Sequence, residues 1–174
     1  MKQLLYLLIC FSQISSSVLS QEPGEWEWLY PRPQGMALYA VQRINPTTWY
    51  FAGVYGVFLK TTDNGETWSY NFKSSKQNPD TDIPSSVWGM HFFDENTGIT
   101  IGSGASIMKT TDAGNTWNPV QGNPLSANTF LYSITFVDSQ TGFITGGLGT
   151  FLKTTDGGDH WVSIDLGTTA ASYS

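Results

Sequence analysis

The sequence predicts an all-β fold, and three observations carry that prediction. A nine-residue phrase occurs three times, as KTTDNGETW (Lys60–Trp68), KTTDAGNTW (Lys109–Trp117) and KTTDGGDHW (Lys153–Trp161). Only 13% of residues are charged and 14% are aromatic, and the polar remainder is dominated by Gly, Thr, Ser and Asn, which suits strands and tight turns better than helices. Short apolar runs, several of them alternating, are separated by turn residues, as half-buried strands require.

The N-terminus is read separately from the fold. Met1 and Lys2 precede a largely apolar stretch from Leu4 to Ile14, and Val18 and Ser20 fit the small-residue positions before a cut at Gln21. Residues 1–20 therefore read as a signal peptide, too short for a membrane span, and predict a secreted or periplasmic protein. Leu8 and Ile9 are bulky where lipidation of Cys10 would want a small residue. Cys10 is the single cysteine, so its removal leaves no disulfide, thiolate metal site or cysteine nucleophile. Loss of Lys2, the one charged residue of the leader, takes the formal charge from −6 to −7. That balance argues against nucleic acid or an anionic membrane as the partner.

Residues 21–37 form an N-terminal segment in which Glu25 to Tyr30 reads as a stray outer strand. The repeats follow at 38–72, 87–120 and 131–166, with 167–174 as a tail. The repeat reaches well upstream of the phrase, because Leu38, Val87 and Leu131 stand at one fixed interval before its Asp, and Gly53, Gly102 and Gly146 at another. In the third copy the strands are expected at Leu131–Val137, Gly142–Gly146, Thr150–Thr154 and Trp161–Ile164, with a turn at Asp138–Thr141. The spacing of Asp63, Asp112 and Asp156 leaves room for four short strands per copy, which matches a propeller blade.

The phrase has its own physical logic. An Asp after two Thr accepts hydrogen bonds from the amides that follow and fixes a turn. Thr61, Asp63 and Gly65, then Thr110, Asp112 and Gly114, then Thr154, Asp156 and Gly158 are the structural positions, each glycine supplying the positive φ of the turn. Trp68, Trp117 and Trp161 are expected to start the outer strands and to cover the apolar gap between blades.

These phrases are Asp boxes, of the pattern Ser or Thr, x, Asp, x, Gly, x, Thr, Trp. Such boxes occur in sialidases, sortilin-type receptors, some glucanases and the photosystem II assembly and stability factors. With PRPQGMALYAV (Pro31–Val41), YGVFLKTTDNGETW and LGTFLKTTDGGDHW, the chain most resembles the last group over Trp26 to Ile164. The resemblance implies a β-propeller and a bias toward protein binding. Two positions depart from it: Arg43 stands where the other copies carry Phe92 and Phe136, and His160 replaces the box threonine. Closed propellers use four to eight blades, so three blades imply part of a larger propeller or a half-ring that closes by self-association.

Enzyme chemistry is not expected. Sialidases clamp a carboxylate with three arginines, and the mature chain has Arg32 and Arg43 alone. Among the carboxylates open to paired acid–base work, Asp94 and Asp138 share their turn position with Asn45 and read as turn formers. Asp80 and Asp82 fall in a long connection and read as solvated, while Glu95 remains among the candidate carboxylates. Asp63, Asn64 and Gly65 lack the further oxygen ligands of a calcium loop, and His91 and His160 are isolated, so neither metal nor cofactor is expected.

A binding surface remains. Connections between blades and the loops between second and third strands share the face opposite the Asp boxes, and they differ in sequence while the blades do not. Lys73, Lys76, Asp80, Asp82, Asn123 and Phe130 are its candidate contact residues, against the alternative that they are plain linkers. The expected partner is a protein; the other reading is a carbohydrate-binding or glycoside-hydrolase-type propeller, with a glycan stacked on Trp49, Tyr55 or Trp88.

Overall fold

The computed structural model describes residues 36–76 and 84–167. Three four-stranded antiparallel sheets follow one another along the chain. The first blade holds β1 (Leu38–Arg43), β2 (Trp49–Gly53), β3 (Phe58–Thr61) and β4 (Ser69–Asn71). The second holds β5 (Val87–Phe92), β6 (Gly98–Gly102), β7 (Ile107–Thr110) and β8 (Asn118–Pro119). The third holds β9 (Leu131–Phe136), β10 (Gly142–Gly146), β11 (Phe151–Thr154) and β12 (Val162–Ser163). Within each sheet the spatial order is the chain order. The expected signal peptide, the expected outer strand at Glu25–Tyr30, Asp80 and Asp82 fall outside the described residues.

Successive blades stack through two apolar cores. Tyr50, Ala52 and Phe58 of the first blade meet Val87, Phe92, Met108 and Trp117 of the second. Ile99, Ile101 and Ile107 of the second meet Leu131, Ile144, Leu152 and Trp161 of the third. Each strand thus turns alternate residues to the blade before and the blade after, which is why the inner strands read as weakly alternating rather than polar on one side. Gln42 adds a polar clamp: its amide donates to the Phe92 carbonyl and accepts from the Phe92 N–H, both at 2.8 Å.

The Asp boxes are the fasteners of this stack. In the second box the buried Thr110 hydroxyl donates to Asp112 Oδ1 at 2.8 Å and accepts the Gly114 N–H at 3.0 Å. Asp112 then accepts the Thr116 N–H at 2.8 Å and the Thr116 hydroxyl at 2.6 Å. The first box repeats this set on Thr61, Asp63, Gly65 and Thr67. In the third, His160 takes the threonine's place, with its N–H and Nδ1 on the two oxygens of Asp156 at 3.0 and 2.7 Å. Gly65, Gly114 and Gly158 have φ of 98°, 80° and 84°, and the residue before each (Asn64, Ala113, Gly157) is left-handed as well. The box then bonds back to the first turn of its own blade, Asn64 N to Thr47 O, Ala113 N to Asn96 O and Gly157 N to Gln140 O, at 2.8 to 2.9 Å.

The tryptophans sit just before the outer strands rather than starting them, because β4, β8 and β12 begin at Ser69, Asn118 and Val162. Trp117 lies 5.3 Å from Phe58 across the first blade junction, and Trp161 is buried in the second. Trp68 instead packs 5.4 Å from Phe51 of its own blade.

Candidate functional site

The antiparallel order sends both turns that carry Asp and Asn chemistry to one end of each blade. Asn45, Asp94 and Asp138 cap the first turns there: each side-chain oxygen accepts two backbone N–H groups, from Thr47 and Thr48, Asn96 and Thr97, and Gln140 and Thr141, at 2.6 to 2.9 Å. Those bonds hold the Asp94 and Asp138 carboxyls below their ordinary pKa, the Thr97 and Thr141 amides contributing most. Acids kept ionised by backbone amides are turn formers, unsuited to delivering a proton near neutral pH. Glu95 bonds the Asn45 side chain. Among the described residues no cluster of His, Cys, Asp and Glu is placed to hold a metal ion.

Titration of these groups predicts two steps of acid destabilisation. His91 lies at the second junction, 4.9 Å from Phe93 and 4.8 Å from Phe136, and burial lowers its pKa from 6.5. Its neutral form is favoured in the fold, so its contribution is complete above pH 6.5 and is lost as pH falls below it toward the folded value. Asp63 is lowered from 3.8 to about 2, first by the Thr67 hydroxyl, and Asp112 and Asp156 are lowered in the same direction. Their contribution is present above pH 3.8 and is lost as pH falls toward about 2. Melting temperature against pH is therefore expected to fall first below 6.5 and again below 3.8, and His91→Gln should remove the first step alone.

At the opposite end, the connections between blades meet the loops between second and third strands. Val54 N bonds Ala37 O, Ala105 N bonds Thr129 O, and Gly147 N bonds Phe130 O, at 2.8 to 3.0 Å. The first strands of neighbouring blades pack side by side there, β1 on β5 and β5 on β9. Their initial residues form a ladder of three aromatics, one per blade. Tyr39 stacks on Trp88 at 4.4 Å with an 8° interplanar angle, and Tyr132 meets Trp88 edge-on at 6.3 Å. Tyr39 and Tyr132 are 45% and 52% exposed, and Trp88 between them is partly buried, its indole N–H shielded and without a hydrogen-bond partner, so the two tyrosines present the ladder to solvent.

The other sequence candidates distribute around this end. Lys73 and Phe130 are exposed, and the Phe130 carbonyl is the acceptor that anchors Gly147. Lys76 and Asn123 line one cleft of about 290 Å³ with Met108, Pro119 and Val120. Asn123 is also a turn former: its amide donates to Ala105 O at 2.6 Å and accepts the Leu125 N–H at 3.1 Å. The three aromatics considered for sugar stacking are not brought together. Trp49 is at the Asp-box end, under the Arg43 guanidinium at 5.4 Å and bonded to Asn64, whereas Tyr55 and Trp88 are at the loop end. Tyr39 and Tyr132 are not among the sequence candidates, although Tyr39, Trp88 and Tyr132 all occupy the same repeat position ahead of the box Asp.

Four-stranded blades stacked through apolar cores and fastened by Asp boxes define a stretch of Asp-box β-propeller. The chain belongs to the family of the photosynthesis system II assembly factor YCF48, whose family model matches residues 72–171. No curated protein matches the chain. Solved structures similar to it include YCF48 bound to a D1 peptide, at 19% identity and a TM-score of 0.56 over 74% of this chain and 40% of that one. YCF48 from Cyanidioschyzon merolae matches at 20% identity and a TM-score of 0.58, over 76% of this chain and 41% of that one. An ancestral GH74 enzyme matches at 18% identity and a TM-score of 0.56, over 77% of this chain and 19% of that one. At such identities the likeness is one of fold. The chain spans about two fifths of the length of the two YCF48 structures.

Proposed function

We propose that this chain is an exported, noncatalytic interaction module that takes a protein segment on its loop face, across the ladder Tyr39, Trp88 and Tyr132. The observation behind this reading is the ladder itself. Three aromatic side chains at one repeat position stay in contact with solvent at the end where backbone loops converge, while Tyr50, Phe58, Phe92, Trp117, Phe136 and Trp161 serve the junctions. Tyr and Trp give large contact area at low entropic cost, which is what peptide-binding surfaces use. The similar YCF48 structure with a bound D1 peptide supports a peptide as the class of partner. Negative formal charge favours a neutral or cationic segment. The cleft beside Lys76 and Asn123 extends the same end outward.

The test is a peptide-display selection on the immobilised chain, run beside a glycan array. Extended peptides carrying an aromatic residue, proline or arginine are expected to be enriched, with affinity falling about tenfold in Tyr132→Ala. Glycan binding that the peptides do not displace would contradict the reading and favour a carbohydrate-binding propeller. So would hydrolysis of a β-glucan by the purified chain.

A further inference from the structure

The two blade junctions close differently at their outer rims. At the second, Lys109 reaches from the second blade to the third box, where its ammonium meets Asp159 Oδ1 at 2.6 Å and the Gly157 carbonyl at 3.1 Å. At the first, the same repeat positions hold Lys60, Asn115 and Ala113. Asn115 carries no charge, and its side-chain amide donates to the Asp112 carbonyl at 2.6 Å. Among the described residues no carboxylate pairs with Lys60, whose ammonium lies over the Tyr50 ring at 5.6 Å instead.

A second difference accompanies the first. The third residue after the box tryptophan is Val120 in the second blade and Asn71 in the first, and the Asn71 amide ties the blades together by donating to the Gly114 carbonyl at 2.8 Å. Between the blades a cleft of about 200 Å³ is lined by Phe58, Lys60, Ser69, Asn71, Gly114 and Asn115. Ser69 and Asn115 are exposed, so the cleft opens to solvent, and both of its walls come from adjoining blades of this chain. Drug-sized ligands need about 300 Å³ or more. A space below that suits a single side chain.

We infer that the cleft at the first junction takes an aspartate or glutamate side chain of a partner protein, with its carboxylate set against Lys60 as Asp159 is set against Lys109. The Ser69 hydroxyl and the Asn115 amide are further donors beside it, and Phe58 offers the methylenes an apolar wall. An exposed ion pair changes affinity by about fivefold at most, too little to hold a free carboxylate. The carboxylate is therefore one contact of a protein segment lying along the outer rim. That rim is built from β3, β4 and the second box, apart from β1, β5 and β9, which carry the aromatic ladder.

Phage-displayed peptides selected on the wild-type chain and depleted on Asn115→Asp, whose rim has a carboxylate of its own, test the assignment. The surviving peptides are expected to share an Asp or Glu. Exchanging it for Asn or Gln, or introducing Lys60→Gln in the chain, should weaken binding about fivefold. Lys60→Arg should keep the affinity, and Tyr132→Ala should leave it unchanged. Thermal melts check the geometry without any ligand: Asn115→Asp should shift the melting temperature upward by about 1–3 °C more in the wild-type background than in Lys60→Gln. No surviving peptide, survivors without a common acidic residue, or binding indifferent to Lys60→Gln overturns the inference, as does equal thermal effect of Asn115→Asp in both backgrounds. Competition by acetate at the peptide's own concentration would assign the cleft to free small anions and overturn it too, and a loss in Tyr132→Ala would move the peptides to the loop face.

Discussion

Trp117→Ala is expected to destabilise the chain by about 3–5 kcal/mol, the cost of emptying a buried aromatic site. The indole is 8% exposed and lies 5.3 Å from Phe58 and 6.0 Å from Phe92, so its removal opens a cavity at the centre of the first junction. It also removes the indole N–H donated to the Gly114 carbonyl at 3.0 Å. Chemical denaturation checks the magnitude, and hydrogen exchange checks the location. The first blade should lose protection before the third, because nearest-neighbour junctions hold a repeat stack together. Equal loss in all blades would mean that the stack unfolds as one unit.

Gly102→Ala is the second large effect, at about 3 kcal/mol or more. An added Cβ would lie 1.9 Å from the Ser86 carbonyl oxygen and 2.9 Å from its carbon. These are backbone atoms and cannot swing aside as a side-chain tip can. The repeat equivalents meet the same obstacle, Gly53 at 2.1 Å from Ala37 O and Gly146 at 2.3 Å from Phe130 O. At each site the end of the second strand crosses the chain entering the first strand. Gly122→Ala, with no atom within 4 Å but a positive φ of 69°, is the control. It should cost about 1 kcal/mol. Denaturant midpoints of the two variants measure the difference.

The local parts of this fold were legible because local chemistry dictates them. Box residues bond within four positions of one another, and Asp94 and Asp138 bond within three. Sequence order alone therefore reveals them. The glycine at a fixed interval before each box was visible as a position, but its cause lies in the distant backbone entering the first strand and needs the crossing to be seen. The Gln42 clamp and the Lys109–Asp159 pair join groups far apart in the chain, and neither recurs at the equivalent positions of the other blades, so periodicity conceals them. At the loop end, Tyr39 and Tyr132 were hidden for a different reason. An aromatic at the start of a strand looks like core until the exposure of its neighbours is known. Lys73, Lys76 and Asn123 lie in connections whose sequences do not repeat, and there no spacing argument can separate a contact residue from a turn former such as Asn123.

The most direct test of the proposed binding face compares one selected peptide on three chains by isothermal titration: wild type, Tyr132→Ala and Trp49→Ala. Tyr132 belongs to the ladder, and Trp49 is an aromatic at the Asp-box end. A loss of about tenfold in Tyr132→Ala with affinity kept in Trp49→Ala is the result expected of binding across the ladder. Full affinity in Tyr132→Ala, or a loss confined to Trp49→Ala, would place the partner elsewhere and contradict the account.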